Sequence, residues 1–422
     1  MTKTKSRREF IKNSSLAVAG LTIAASPFAK TFAITNSNKK VRLAFIGTGS
    51  RGNHLLWLLL NQKENSDFEL IALCDNYEPS LERALKTCSD ASVKPKTYDD
   101  HKKLIKFEHP DGVLIATPLH EHAHIAIDCM EAGIHVFCEK AMARTPEDTK
   151  AMYDTHLKTG SILLIGHQRV YDPVYQTAIK RIHAGDLGTI GQIRAYWHRN
   201  NSWRRSVPEG HPELEKKINW RLYKDSSAGL LTELMSHQLQ VANWVLQQTP
   251  VSVMGTGSLR FWNDGREVED NVALIFSYPD NTQFIYDSMT SNRKYGLEEQ
   301  IMGDKGTMEL ETNRYFSETP PAAPGILQLV NDIEKGLFNS IPLGNSSWVP
   351  ETAVKYNGEE IYTKKQGDGT KEQLIFFVER VKAKSAPEWI TKEGYQSSIW
   401  TLMAEQAIDT GQKITLPEIY NI

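Results

Sequence analysis

From residue 41 onward the chain alternates between short apolar runs and longer mixed segments. Val41-Arg-Leu-Ala-Phe-Ile46 leads into glycines at positions 47, 49 and 52, and Leu55-Leu-Trp-Leu-Leu-Leu60 follows. An apolar run of strand length that ends in glycine predicts a strand buried on both faces, and the segment after it predicts a helix starting near Asn53. Residues 68–74, 112–116, 134–138 and 161–165 read as further strands, with helices over 79–87, 99–106, 122–132 and 145–159. Thr145-Pro-Glu-Asp148 marks a helix start, with a hydroxyl cap, proline in the first turn and acids beside the positive helix end. Strands alternating with helices predict a parallel, doubly wound α/β sheet.

Beyond about residue 167 the pattern changes. One more helix is predicted over 173–184, then strands over 190–198, 251–261, 271–278 and 283–290. Val272-Ala-Leu-Ile-Phe-Ser-Tyr278 alternates, and Pro279-Asp-Asn281 supplies a turn, which describes an antiparallel sheet with one face in the core. Residues 231–246 read as a helix of mixed polarity and 395–410 as a closing helix, while 312–350, rich in turn residues and proline, fit neither period.

A chain of 422 residues exceeds one ordinary domain, so two are expected. Its 40% hydrophobic and 24% charged residues suit a soluble globular protein. The net charge of −2 offers no basic footprint for nucleic acid or for an acidic membrane surface. The four cysteines, 74, 88, 129 and 138, match no zinc spacing, and Cys74 and Cys138 end apolar runs as buried thiols do.

Ser6-Arg-Arg-Glu-Phe-Ile-Lys12 resembles a twin-arginine export signal. The apolar segment 15–25 is too short to span a bilayer, and Thr31-Phe-Ala33 suits cleavage. Residues 1–33 are therefore set apart from the fold. No cysteine sits near the end of the apolar region, so no lipoprotein-type membrane anchor is expected. The protein is expected in the periplasm, exported folded. Folding in a reducing compartment also argues against a disulfide framework.

The glycine turn carries the first chemistry. Gly47 permits the tight turn, Gly49 lets backbone approach a pyrophosphate, and Gly52 lets the helix pack on the strand, its first amides facing the anion. A lone G-x-G-x-x-G is weak, but here the second strand ends in Asp75, 23 residues beyond Gly52, near the spacing of a ribose-binding carboxylate. An acid there accepts from ribose hydroxyls and repels a 2′-phosphate. Asn76, Tyr77 and Glu78 follow it, and Arg83 reads as a cation on a solvated helix face. NAD is expected rather than NADP.

Three further segments stand out. Ile115-Ala-Thr-Pro118 precedes His122 and Ala132-Gly-Ile-His-Val-Phe-Cys-Glu-Lys140. Gly185-Asp-Leu-Gly-Thr-Ile-Gly-Gln-Ile-Arg194 leads into a strand, and Gly229-Leu-Leu-Thr-Glu-Leu-Met-Ser-His237 lies in a helix. With the glycine turn, these resemble the glucose–fructose oxidoreductase/inositol dehydrogenase/MocA (Gfo/Idh/MocA) family over roughly residues 40–311. The resemblance implies an N-terminal Rossmann domain, placed at 38–167, and a C-terminal α+β domain with an open, mainly antiparallel sheet, placed at 168–395. A C-terminal helix and tail, 396–422, would follow. It implies a nicotinamide cofactor, a sugar or cyclitol substrate between the domains, and a homo-oligomer. By that resemblance Lys140 hydrogen-bonds the reacting hydroxyl, His237 exchanges its proton, and Glu233 is the acid four residues earlier. Gly47, Thr48, Gly49, Ser50, Arg51, Gly52, Asp75, Thr117, Pro118, His122, Glu139 and Lys140 would hold the cofactor.

The chemistry asks for the same residue types. Oxidising an alcohol releases a hydride and a proton, and histidine is a base tuneable near neutrality. A lysine beside the nicotinamide would stabilise alkoxide charge. Glu233 and His237, four apart, share a helical face. The chain also departs from the family pattern: Ala141 replaces the proline after the lysine, Glu233 replaces aspartate, and Gln240 stands where aspartate is frequent.

His120, His122 and His124 do not share one helical face, so no metal is expected of them. Trp197-His-Arg-Asn-Asn-Ser-Trp-Arg-Arg205 mixes rings and cations as a sugar pocket does, or is an edge strand with a solvated loop. Trp220 and Arg221, and Arg169 and Tyr171, are further substrate-pocket candidates, with Tyr171 expected to enter the cleft. The first function expected is an exported NAD-dependent oxidoreductase acting on a sugar, glycoside or cyclitol hydroxyl. One alternative is the family's redox-assisted glycosidase, although that branch's histidine–glycine segment is missing. The other is a non-catalytic sugar sensor, which the presence of Lys140 and His237 disfavours.

Overall fold

The computed structural model describes residues 39–62, 67–318, 358–364 and 367–422. The export segment and most of the stretch 312–350 lie outside them. Six parallel strands form the first sheet: β1 (Val41–Ile46), β2 (Phe68–Cys74), β3 (Lys96–Tyr98), β4 (Gly112–Ile115), β5 (His135–Cys138) and β6 (Leu163–Ile165), in the order β3-β2-β1-β4-β5-β6. This is a Rossmann sheet, with the reversal of strand order between β1 and β4. β1, β4, β5 and β6 are almost wholly buried, as a sheet covered on both faces requires.

Local sequence sets the helix ends. The Thr145 hydroxyl accepts from Asp148 N at the start of Pro146–Thr159, and Gly160, at φ +68°, closes that helix. Asp100 caps His101–Glu108 through Lys102 N.

The second sheet has eight strands: β7 (Ile190–His198), β8 (Ser252–Ser258), β9 (Asn271–Ser277), β10 (Gln283–Met289), β11 (Leu297–Gly303), β12 (Gly306–Glu309), β13 (Arg314–Ser317) and β14 (Glu359–Glu360). Their order is β14-β13-β12-β11-β7-β10-β9-β8, antiparallel except for β7 beside β10. β7 is thus an interior strand, which corrects the edge-strand alternative for Trp197. The expected alternation puts Val272, Leu274 and Phe276 in the core and leaves Ala273 and Ile275 outside.

The C-terminal segment departs from the expected division at 395. Helix Thr370–Ala383 packs Leu374, Phe377, Val378 and Val381 into the core of the nucleotide-binding domain. Helix Trp389–Thr410 begins before residue 395 and feeds three clusters: Ile390 one face of the Rossmann sheet, Tyr395 and Ile399 the other, and Trp400, Met403, Ala404 and Ala407 the antiparallel domain. At about 1.5 Å per residue the helix is long enough to fasten both domains together. Neither contact could be read from a period alone. No helix among the described residues is long and apolar enough to cross a membrane.

Candidate active site

A cleft of about 1500 Å³ runs along the carboxyl ends of β1, β4 and β5, where α/β sheets bind ligands. The strand ends deliver Gly47, Gly49, Ser50 and Arg51, then Thr117 and Pro118, then Glu139 and Lys140, to its wall. The second domain supplies Trp197, the arm from Arg199 to Arg221, and Glu233 and His237.

The glycine turn has the shape that a dinucleotide needs. Gly47 sits at φ +87°, and a Cβ there would meet the Ala116 and Thr117 backbone at 2.7 Å. A Cβ on Gly52 would lie 2.0 Å from Gly47 O, so Gly52 is a packing residue behind the wall. Gly49 has nothing within 4 Å, leaving open space at the start of helix Ser50–Leu60 for an anionic group. Asp75 faces the cleft and also braces the turn: Oδ2 accepts from Thr48 N at 2.7 Å and Thr48 Oγ at 3.0 Å, and Oδ1 from Tyr77 N at 2.8 Å. Thr48 itself is fully buried and acts through Asp75. Arg83, expected only on a solvated face, also lines the cleft.

Glu139 accepts from Arg51 Nε at 2.6 Å, joining two cofactor-side loops. His122 is buried between two others, with Nδ1 3.1 Å from Ala141 O and Nε2 3.1 Å from Thr117 O. That brace removes His122 from any cluster with His120 and His124. The Lys140–Ala141 peptide bond is cis.

Lys140 crosses from the nucleotide-binding domain to the substrate side. Its Nζ donates to Glu233 O at 2.9 Å and Thr232 O at 3.2 Å. Those carbonyls lie in a π turn, Leu231–Met235, ahead of helix Ser236–Leu246, where an uninterrupted α-helix was expected. The wider turn leaves backbone oxygens to accept from outside the helix, a device frequent at functional sites. Arg221 Nε donates to Glu233 Oε2 at 2.6 Å, and the Arg221 guanidinium stacks 4.2 Å over Trp220.

Burial lowers the Lys140 ammonium below its ordinary range, against the opposing pull of Glu233 and Glu139. Burial also disfavours the Glu233 carboxylate, but Arg221 and Lys140 outweigh it and hold that group below its usual value. His237 is pushed well below 6.5, first by burial and then by the positive charges of Lys140 and Arg169. The cleft therefore presents a neutral imidazole beside an ion-paired carboxylate and a desolvated lysine.

The sign of the His237 shift sets a pH dependence. A folded value below the unfolded one keeps its stabilisation above pH 6.5 and loses it as pH falls, by up to about 1.4 kcal/mol per pH unit. Denaturant unfolding of wild type and His237→Gln between pH 7 and pH 5 should show the shallower slope in the variant. Equal slopes would contradict a depressed His237.

Two expected substrate contacts fail. Arg169 is buried, bound to Glu311 at 2.8 Å and to the Tyr175 hydroxyl at 3.1 Å, with Glu299 3.4 Å away. It stacks 5.4 Å from Trp197 and supports that cleft residue from behind. Tyr171 turns away into an aromatic cluster, 5.1 Å from Phe376 and 6.4 Å from Trp389, because helix Thr370–Ala383 offers its ring an apolar cover. Sequence reasoning missed His167, whose ring is buried and packs edge-on 5.8 Å from His237, and Lys217, whose Nζ reaches Asn76 O at 2.8 Å across the cleft. Position after the last parallel strand was the available signal for His167. Nothing in the sequence pointed to Lys217.

The four cysteines are buried free thiols. Burial raises Cys74 to about 12 and Cys88 to about 11, so both are unreactive.

The two sheets and the cleft between them define the class: a two-domain protein whose first domain has the Rossmann dinucleotide-binding fold. Residues 41–167 match the model of the oxidoreductase family with an NAD-binding Rossmann fold, GFO_IDH_MocA, and residues 175–309 match the GFO/IDH/MocA C-terminal domain. The chain belongs to the Gfo/Idh/MocA family, and its cofactor is NAD. It is 36% identical over 200 residues to a glycosyl hydrolase family 109 protein of Stenotrophomonas maltophilia, covering 46% of this chain and 42% of that relative. It is 24% identical to the scyllo-inositol 2-dehydrogenase (NAD(+)) of Bacillus subtilis over 68% of this chain and 78% of the relative. The WlbA dehydrogenase of Bordetella pertussis, solved with NADH and UDP-GlcNAcA, shares the fold at a TM-score of 0.66 and 19% identity, covering 90% of this chain and 99% of the other.

Proposed function

We propose that the protein is an exported dehydrogenase that moves a hydride between NAD and a secondary hydroxyl of a sugar, glycoside or cyclitol. The convergence of Lys140 and His237, one from each domain, on a single cleft carries this reading. NAD, held by the glycine turn and Asp75, would supply the acceptor for the hydride of the carbinol carbon. The neutral imidazole of His237 takes the hydroxyl proton, so the alcohol becomes a ketone as a hydride leaves its carbon and a proton leaves its oxygen. Lys140 donates to the substrate oxygen and offsets its developing negative charge. Glu233, held by Arg221, opposes the effect of burial on the lysine and offers an acceptor to a neighbouring hydroxyl. Trp197 and Trp220 supply flat apolar faces for a sugar ring.

A second reading is the redox-assisted glycosidase, in which the sugar is oxidised only transiently and the glycosidic bond is cleaved. The glycosyl hydrolase family 109 relatives support it. The missing histidine–glycine segment and the inositol dehydrogenase relative favour the first. Oxidation of any member of a sugar and cyclitol panel with NADH formation supports catalysis. Failure across the panel by NAD-loaded protein would favour a sensor.

The wild type is expected to hold NAD in preference to NADP, because the Asp75 carboxylate faces the cleft. Asp75→Ala should relax that preference, read as the ratio of the two dissociation constants. Tighter binding of NADP by the wild type would overturn it. Export rests on the Ser-Arg-Arg-Glu-Phe-Ile-Lys stretch. Changing Arg7 and Arg8 together to lysine should trap precursor in the cytoplasm, and unchanged periplasmic recovery would refute the route. A homo-oligomer would use the outer face of the second sheet, where Met254 and Ile275 are 48% and 39% exposed.

A further inference from the structure

A second polar cluster lies where the start of helix His101–Glu108 meets helix His122–Glu131. His101 Nε2 stands 2.8 Å from Asp128 Oδ2, and the His101 and His124 rings are 5.5 Å apart. His124 and Asp128 are four residues apart on one helix and share its face. One ligand atom from each of the three residues lies within 4.8 Å of the other two. Glu121 sits beside them, with one oxygen 2.7 Å from His124 Nε2 and the other 3.1 Å from His120 Nε2.

We infer that His101, His124 and Asp128 bind a divalent transition-metal ion, with zinc as the reference case. Two imidazoles and a carboxylate suit zinc or copper, whereas calcium and magnesium prefer oxygen ligands. Ligands about 2.0–2.1 Å from a tetrahedral ion lie roughly 3.4 Å from one another, so the cluster needs only a small contraction. His101 and Asp128 are already in contact, and His124, about half exposed, has room to rotate. Glu121 can orient the His124 ring from behind, as carboxylates beside metal-bound histidines do. The opposing charge is Lys102, whose Nζ is 3.5 Å from Asp128; it is largely exposed and free to swing into solvent as a dication enters.

This set was hidden from the sequence, which offered His120, His122 and His124. The fold turns His122 inward and brings His101 from another helix in its place. The ion would tie together two stretches of cleft wall, since His101, His120 and Glu121 all line the cleft. Asp75 N bonds Tyr98 O at 3.1 Å, which places this rim at the Asp75 end. The site does not depend on the redox chemistry.

The full chain, stripped with chelator, would be titrated with zinc chloride by calorimetry, and its thermal unfolding followed with and without zinc. One saturable equivalent is expected, together with a higher unfolding midpoint in zinc. His124→Ala and Asp128→Asn should each weaken zinc binding at least tenfold. His211→Ala, an exposed histidine outside the cluster, should leave it unchanged. His124→Ala alters an exposed side chain, and its unfolding midpoint without zinc should match wild type. Absence of saturable binding, or equal affinity in the wild type and both site variants, would overturn the proposal.

Discussion

Replacing either Lys140 or His237 with alanine is expected to lower turnover about a hundredfold or more while NAD stays bound, the loss typical of a missing proton acceptor or alkoxide donor. His237 is buried and neutral, so it accepts a proton without first losing one. Lys140 reaches the backbone of the opposite domain, so its ammonium is fixed where substrate must pass. Glu233→Gln should cost less, because an amide oxygen can still accept from Arg221 although the charge is gone. NAD affinity measured beside turnover separates lost chemistry from lost binding. Near-normal turnover in both alanine variants would remove this site.

The second large effect separates two glycines three residues apart. Gly52→Ala should abolish tight NAD binding and destabilise the protein, because the new Cβ meets Gly47 O at 2.0 Å and Gly47 C at 3.0 Å. Both atoms are backbone, so no side chain can swing aside. Helix Ser50–Leu60 would have to lift from β1, disturbing buried Leu55, Leu56, Leu59 and Leu60. Overpacking of this kind costs about 1–3 kcal/mol or more. Gly49→Ala should behave differently. Its Cβ meets nothing within 4 Å, so the unfolding midpoint should stay at the wild-type value, while the methyl group occupies the space a pyrophosphate needs. Thermal unfolding and NAD titration of the two variants read both effects. Unchanged NAD affinity in both would contradict a dinucleotide cradle at this turn.

The Rossmann half was legible because its information is local. Strand, glycine turn and capped helix each carry their own period and their own stop signals, and Asp75 falls at the end of β2 as spacing required. β9 and β10 were equally plain, since alternation survives wherever one face meets the core. β11, β12 and β13 were not read, because Glu298 and Glu299 bury charge in a strand and mask its period. Glu298 is accommodated by backbone amides of Glu299, Glu311 and Thr312, partners that only the fold supplies. The candidate site divides in the same way. Lys140, Glu233 and His237 lie in motifs and meet in the cleft. Arg169 and Tyr171 lie between motifs, and their orientations were set by Glu299, Glu311 and a helix two hundred residues downstream.

In a dehydrogenase the hydride leaves the substrate for good in each turnover. The most direct measurement incubates purified, NAD-supplied protein with a panel of glycosides and records NADH absorbance and released sugar in the same sample. NADH is expected to form in step with substrate consumed, with no glycosidic cleavage. Cleavage without net NADH would contradict that expectation and establish the redox-assisted glycosidase.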